Sequence, residues 1–187
     1  MSTAQRETLT EAEYLARERH ADEKHEFLAG EAWAMAGGSV EHNRLATNIL
    51  VALGRRLAGG PCYPLNSDQR VAIGETGLYT CPDVTVLCGD SERHPLDDTV
   101  LTNPSLVVEV LSEATEAYDR GAKAQHYRQR ASLRSYVLVA QDRRHVEVYQ
   151  RGADGAWSLR EYVGDAVIAL PTLGIEVPLD EVYAGVR

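Results

Sequence analysis

The chain has 187 residues, 44% of them hydrophobic, and a formal net charge of −9. That length suits one domain spanning 1–187 with a real core, and the composition excludes a disordered chain. No apolar run approaches the roughly 20 residues of a membrane span. Met1–Glu7 lacks the basic and apolar regions of a signal peptide. Cys62, Cys81 and Cys88 form an odd set without a CxxC pair, which argues against a disulfide framework and a thiolate zinc site. A soluble cytoplasmic protein is the expectation.

Taken in order, Thr10 followed three residues later by Glu13 has the form of a capping box, predicting a short helix through about Arg19. Lys24 to Met35 reads as two short strands turning at Ala29-Gly30, so residues 8–36 form a helix-and-hairpin extension to a core of about 41–183. Leu45, Ile49, Leu50, Leu53 and Leu57 recur at helical spacing, giving an amphipathic helix from Glu41 to Ala58 ended by Gly59-Gly60. Cys62 to Ile73 and Leu78 to Cys88 are β-type stretches, and the polar run Gly89 to Asn103 reads as a loop. Leu106 to Val110 lies in an aliphatic strand that follows Pro104, and Thr115 to Ala131 is a second helix. Ser135 to Ala140, His145 to Tyr149, Trp157 to Val163 and Ala166 to Val177 are further strands, with a helical turn at Leu179 to Tyr183. This order predicts an α/β fold with a mixed sheet flanked by helices.

Glu109 is the anomaly. An ionised carboxylate within a strand covered on both faces needs a cation, a metal or several donors. It is either a metal ligand, an acid/base group or half of a structural ion pair. Asp83, after Pro82, opens the preceding strand stretch, and Asp119, Lys123 and Tyr127 are spaced four apart on the helix that follows. Singly, Asp119 and Lys123 read as a solvated helix pair. Together, two carboxylates on neighbouring strands can hold a hard divalent cation, and a nearby lysine can orient water and stabilise charge on phosphorus.

Pro82-Asp83, Glu109-Val110-Leu111-Ser112 and Asp119-Arg120-Gly121-Ala122-Lys123 with Tyr127 resemble the PD-(D/E)xK nuclease superfamily, and more narrowly its Uma-two family of restriction-endonuclease-like proteins. Glu26–Glu31, Met35–Ser39 with His42, and Ser135–Val139 extend the likeness over roughly residues 8 to 183. The superfamily's lysine normally stands two positions after the acid, where this chain has Leu111. The resemblance therefore implies a variant with the lysine moved to the following helix, at Lys123.

On that reading Asp83, Glu109 and the Val110 carbonyl bind Mg²⁺ or Mn²⁺, Lys123 positions the water, and Tyr127 or Asp119 orients the lysine. His42 is either functional or a helix cap, and Glu26 either an additional acid or a hairpin ion-pair partner. Asp68 and Arg70 read as a strand-surface pair, and the other histidines as surface groups. Net acidity counts against nucleic acid, but Glu116–Arg151 holds eight Lys or Arg against four Asp or Glu. Arg120, Arg128, Arg130 and Arg134 are the candidate phosphate contacts. The implied function is a metal-dependent DNA endonuclease acting as a homodimer. The alternative is a nuclease-like domain that binds nucleic acid or protein without cutting.

Overall fold

The computed structural model describes residues 8–35 and 37–186. Met1–Glu7, on which the signal-peptide reading rests, and Ala36 lie outside the described residues. The elements in order are α1 (Glu11–Glu18), β1 (His25–Leu28), β2 (Glu31–Ala34), α2 (Val40–Leu57), β3 (Cys62–Asn66), β4 (Val71–Ile73), β5 (Leu78–Thr80), β6 (Val84–Cys88), β7 (Arg93–His94), β8 (Asp97–Leu101) and β9 (Leu106–Val110). A compound helix follows: α3 (Glu116–Tyr118), a π-helical segment (Asp119–Lys123) and α4 (Ala124–Gln129). Then come β10 (Ser135–Val139), β11 (His145–Arg151), β12 (Trp157–Val163), β13 (Val167–Leu170), β14 (Ile175–Pro178) and α5 (Leu179–Val182).

The fold is mixed α/β, as expected, but the strands divide between two six-stranded mixed sheets and a small two-stranded one. The first sheet runs β2-β1-β5-β4-β8-β7, the second β12-β11-β10-β9-β6-β3. The hairpin expected as an extension is thus one end of a whole sheet.

Side-chain parity stacks these layers. In β9, Leu106, Val108 and Val110 pack with Leu45, Ile49 and Leu53 of α2. Val107, together with Leu111 just beyond the strand, faces the other way, against Val71, Ile73, Leu78 and Tyr127. The first sheet presents Phe27 and Tyr79 from its far face to Tyr14 and Leu15 of α1. Glu109 shares parity with Val107 and Leu111, so its carboxylate enters the layer between the two sheets.

The predicted capping box is present: Glu13 N–H donates to Thr10 Oγ1 at 3.2 Å, and Thr10 N–H to Glu13 Oε2 at 2.8 Å. Five expectations are corrected. Gly89–Asn103 contains the β7–β8 hairpin, whose apolar end, Val100 and Leu101, is buried while β8 pairs with β4. The second helix is wound as π over Asp119–Lys123. Cys62 and Cys88 form a disulfide, because the β3–β6 register places them directly opposite. Asp68 and Arg70 do not pair with each other: Asp68 accepts from Lys24, and the largely buried Arg70 binds Glu18. Of the histidines assigned to the surface only His20 is fully exposed, and His25, for one, binds Glu18 at 2.7 Å.

Candidate active site

Four segments deliver the acids: β1 carries Glu26, β9 Glu109 and the π-helical segment Asp119, while Asp83 immediately precedes β6. The β6–β9 ladder ends at Val84 opposite Val108, so its next step sets Asp83 against Glu109. Like charges directly opposite are destabilising without a cation between them. Asp83 Oδ2 accepts from the Val110 N–H at 2.7 Å, and its Oδ1 lies 2.9 Å from His42 Nε2. His42 is placed by the start of α2, where its N–H donates to the N-cap Ser39 Oγ at 3.0 Å. The bond to Asp83 is the main reason the His42 imidazole is held above its ordinary pKa.

Glu109 and Lys123 meet in the buried layer. Lys123 Nζ lies 2.9 Å from Glu109 Oε1, 2.7 Å from Glu26 Oε1 and 3.5 Å from Asp119 Oδ1. Lys123 is 4% exposed and Glu109 5% exposed, so water screens these charges little. Burial disfavours the Lys123 ammonium, but Glu109, Glu26 and Asp119 prevail and hold it well above the ordinary lysine value. Burial pushes the Glu109 carboxyl up to about 8, Lys123 opposing while Asp83 and Asp119 add to the rise. Burial and the neighbouring Glu26 likewise raise the Asp119 carboxyl, against the pull of Lys123. The π-helical winding inserts an extra residue into the turn that carries Lys123, a device common at functional positions.

Supporting contacts differ from expectation in one respect. Tyr127 donates to Glu109 Oε1 at 2.8 Å and so orients the acid, whereas Asp119 lies beside the lysine. Glu26 is part of the cluster, with Thr80 Oγ1 donating to its Oε1 at 2.6 Å. The buried Tyr118 hydroxyl lies beside Glu26, and burial together with that carboxylate pushes its pKa up. A cavity of about 220 Å³ opens onto Glu26, Trp33, His42, Asp83, Glu109 and Lys123.

These groups fit a divalent cation. Glu26, Asp83, Glu109 and Asp119 outnumber Lys123 and His42, and their donors are hard oxygens gathered around one cavity. Another grouping escaped the sequence reading: His145, Glu147 and Glu161 converge on β11 and β12, with Arg120 bound to Glu147.

The four arginines lie elsewhere, and none lines the cavity. Arg120 binds Glu116 and Glu147, while Arg130 binds Glu75 at 3.1 Å and approaches Glu92 at 3.9 Å. The Arg128 guanidinium sits 5.8 Å from the centre of the Tyr149 ring, and Arg134 is exposed. Sequence reasoning passed over Thr80, Tyr118 and Trp33. Trp33 was within reach, since a hairpin turning at Ala29-Gly30 pairs it with Glu26.

The two mixed sheets thus enclose the carboxylates and the lysine in the layer between them. The backbone of the chain matches the crystal structure of "a putative nuclease belonging to DUF820" from Anabaena variabilis ATCC 29413 with a TM-score of 0.77, at 14% identity, over 96% of this chain and 99% of that one. Residues 11–180 match the sequence profile of Uma2, described as "Putative restriction endonuclease", and the chain belongs to that family. Two proteins of Synechocystis sp. (strain ATCC 27184 / PCC 6803 / Kazusa) are similar over most of their length. The uncharacterized protein slr1290 is 37% identical over 95% of this chain and 92% of its own. The uncharacterized protein sll1609 is 38% identical over 88% and 93%. No helix among the described residues is long and apolar enough to cross a membrane.

Proposed function

We propose that this protein is a Mg²⁺- or Mn²⁺-dependent endonuclease that hydrolyses phosphodiester bonds in DNA in the cytoplasm. The observation that carries the reading is the 2.9 Å contact between Lys123 and Glu109 beside Asp83. It supports the view that a lysine on the helix replaces the one missing at Leu111.

Asp83, Glu109 and the Val110 carbonyl would hold the cation, Glu109 through Oε2, which takes neither the Lys123 nor the Tyr127 bond. The bound cation would supply Lewis-acid polarisation of a phosphoryl oxygen and lower the pKa of a water. Lys123, held by Glu26, Glu109 and Asp119, places its positive charge beside the attacking water and near the negative charge that develops on the phosphoryl oxygens. Glu26 and Asp119 fix the ammonium, Tyr127 fixes Glu109, and His42 fixes Asp83. Arg128 and Arg134 remain candidates for backbone phosphates, and cutting both strands of a duplex would engage two copies of the chain.

One observation favours the non-cutting alternative: Arg120 and Arg130 are engaged by acids of the same chain. Cleavage assays and calorimetry separate the readings. Wild-type protein should nick DNA only with Mg²⁺ or Mn²⁺, and the near-isosteric Asp83→Asn and Glu109→Gln variants should fold but not cut. Mn²⁺ titration should show a site that Asp83→Ala loses. Absence of both Mn²⁺ binding and cleavage in the wild type would overturn the nuclease reading.

A further inference from the structure

We propose that Trp33 is a stacking platform for an unpaired base, so that the substrate is a single strand or a locally unpaired segment. This deepens the nuclease reading and rests on it. In the β1–β2 hairpin Trp33 stands opposite Glu26, and cross-strand partners share a face. The indole is therefore fixed beside the carboxylate that binds Lys123, and it lines the same cavity as Asp83 and Glu109.

Trp33 is 37% exposed, on an edge strand whose four residues are all exposed. Tyr118, also in the cavity wall, meets the indole at a steep angle with 6.4 Å between ring centres, so the two rings are not stacked and an indole face is left for a ligand. A large, partly exposed aromatic ring thus lines a polar, acid-rich cavity. It suits a ligand that has a charged backbone and a flat apolar face.

The charge distribution selects among nucleic acids. Long duplexes are held chiefly by many cation–phosphate contacts. Here the depression next to the cavity, about 600 Å³, carries Glu41, Glu113, Glu116 and Asp142 on its walls. Arg120 and Arg130 are already paired. Of the four candidate arginines, Arg128 and Arg134 are left for phosphates, and stacking adds affinity for any base whose π face is free. In a duplex those faces are covered by neighbouring base pairs.

The test uses a short oligothymidylate and a blunt duplex of equal length, binding to full-length protein carrying Glu109→Gln so that cleavage does not intrude. The chain has two tryptophans, so a Trp157→Phe background assigns the fluorescence to Trp33. Oligothymidylate should quench Trp33 and bind more tightly than the duplex. Trp33→Ala should weaken its binding about tenfold or more, and Trp33→Phe should restore most of it. Equal affinity for the two DNAs, unchanged by Trp33→Ala, would overturn the platform. Quenching by the single strand with no cleavage by protein retaining Glu109 would reject the nuclease reading while leaving the platform. Cleavage of blunt duplex indifferent to Trp33→Ala would do the reverse.

Discussion

Lys123 reaches Glu109 at 2.9 Å from a different element, although the strand position two residues beyond Glu109 belongs to Leu111. The same ammonium binds Glu26 of the first sheet and Asp119 of its own helix. One cation thus holds three buried acids together, so its removal affects both chemistry and folding. Lys123→Ala should abolish cleavage and, without metal, cost about 3–5 kcal/mol of stability. Saturating Mn²⁺ should raise the variant's melting temperature more than the wild type's, since it restores positive charge to the cluster. Undiminished cleavage by the folded variant would remove the lysine from the mechanism.

The raised pKa of Glu109 predicts a pH dependence. Glu109 titrates near 4.5 ordinarily and near 8 in the folded protein, so folding favours the protonated carboxyl. The resulting stability is fully present below about 4.5 and is lost as pH rises toward 8, because the unfolded chain releases its proton first. Metal-free protein should therefore show denaturation midpoints that fall across this interval, with a shallower fall for Glu109→Gln. Mn²⁺ affinity should rise over the same interval, with proton release seen by calorimetry in buffers of different ionisation enthalpy. Identical stability profiles for the two proteins would exclude Glu109 as the group responsible.

Much of this arrangement was legible because its signals are local. Pro82-Asp83 opens a strand stretch, Glu109 interrupts an aliphatic run, and Lys123 lies one helix further on. Parity alone placed Glu109 and Leu111 on one face. What escaped depends on register between distant segments. Cys62 and Cys88 are 26 residues apart, and only the β3–β6 ladder makes them neighbours. The Arg120–Glu116 pair is local, but the second acid on Arg120, Glu147, arrives only with β11. The π-helical winding at Asp119–Lys123 has no simple sequence period, since the surrounding positions suit an ordinary helix.

Gly38 predicts a separate effect on the Asp83 side of the site. A Cβ there would lie 2.5 Å from His42 Cδ2 and 2.8 Å from its Cγ, closer than side chains approach. Gly38→Ala should push the imidazole away and break its 2.9 Å contact with Asp83. That contact is the main cause of the raised His42 pKa, so the value should fall toward that of an ordinary histidine. NMR titration of the His42 ring reads this directly. Because Gly38 is exposed, thermal stability should change little while cleavage drops. An unchanged His42 titration would show that the ring does not depend on the missing side chain.

The Cys62–Cys88 bond ties edge strand β3 to β6, the strand that begins immediately after Asp83. It closes a loop across a sequence separation of 26, and restricting the unfolded chain in this way contributes about 3 kcal/mol. A reducing agent should therefore lower the melting temperature of the wild type. It should leave unchanged a variant with both Cys62→Ser and Cys88→Ser, which starts from the lower value. Cys81 is buried and unbonded, so Cys81→Ala tests for general thiol effects and should not alter the response to reductant. The acids are held by His42, Tyr127 and Lys123 rather than by the disulfide, so Mn²⁺ binding should survive reduction below the melting point. A wild-type melt indifferent to reductant would show that the cross-strand bond carries none of this stability.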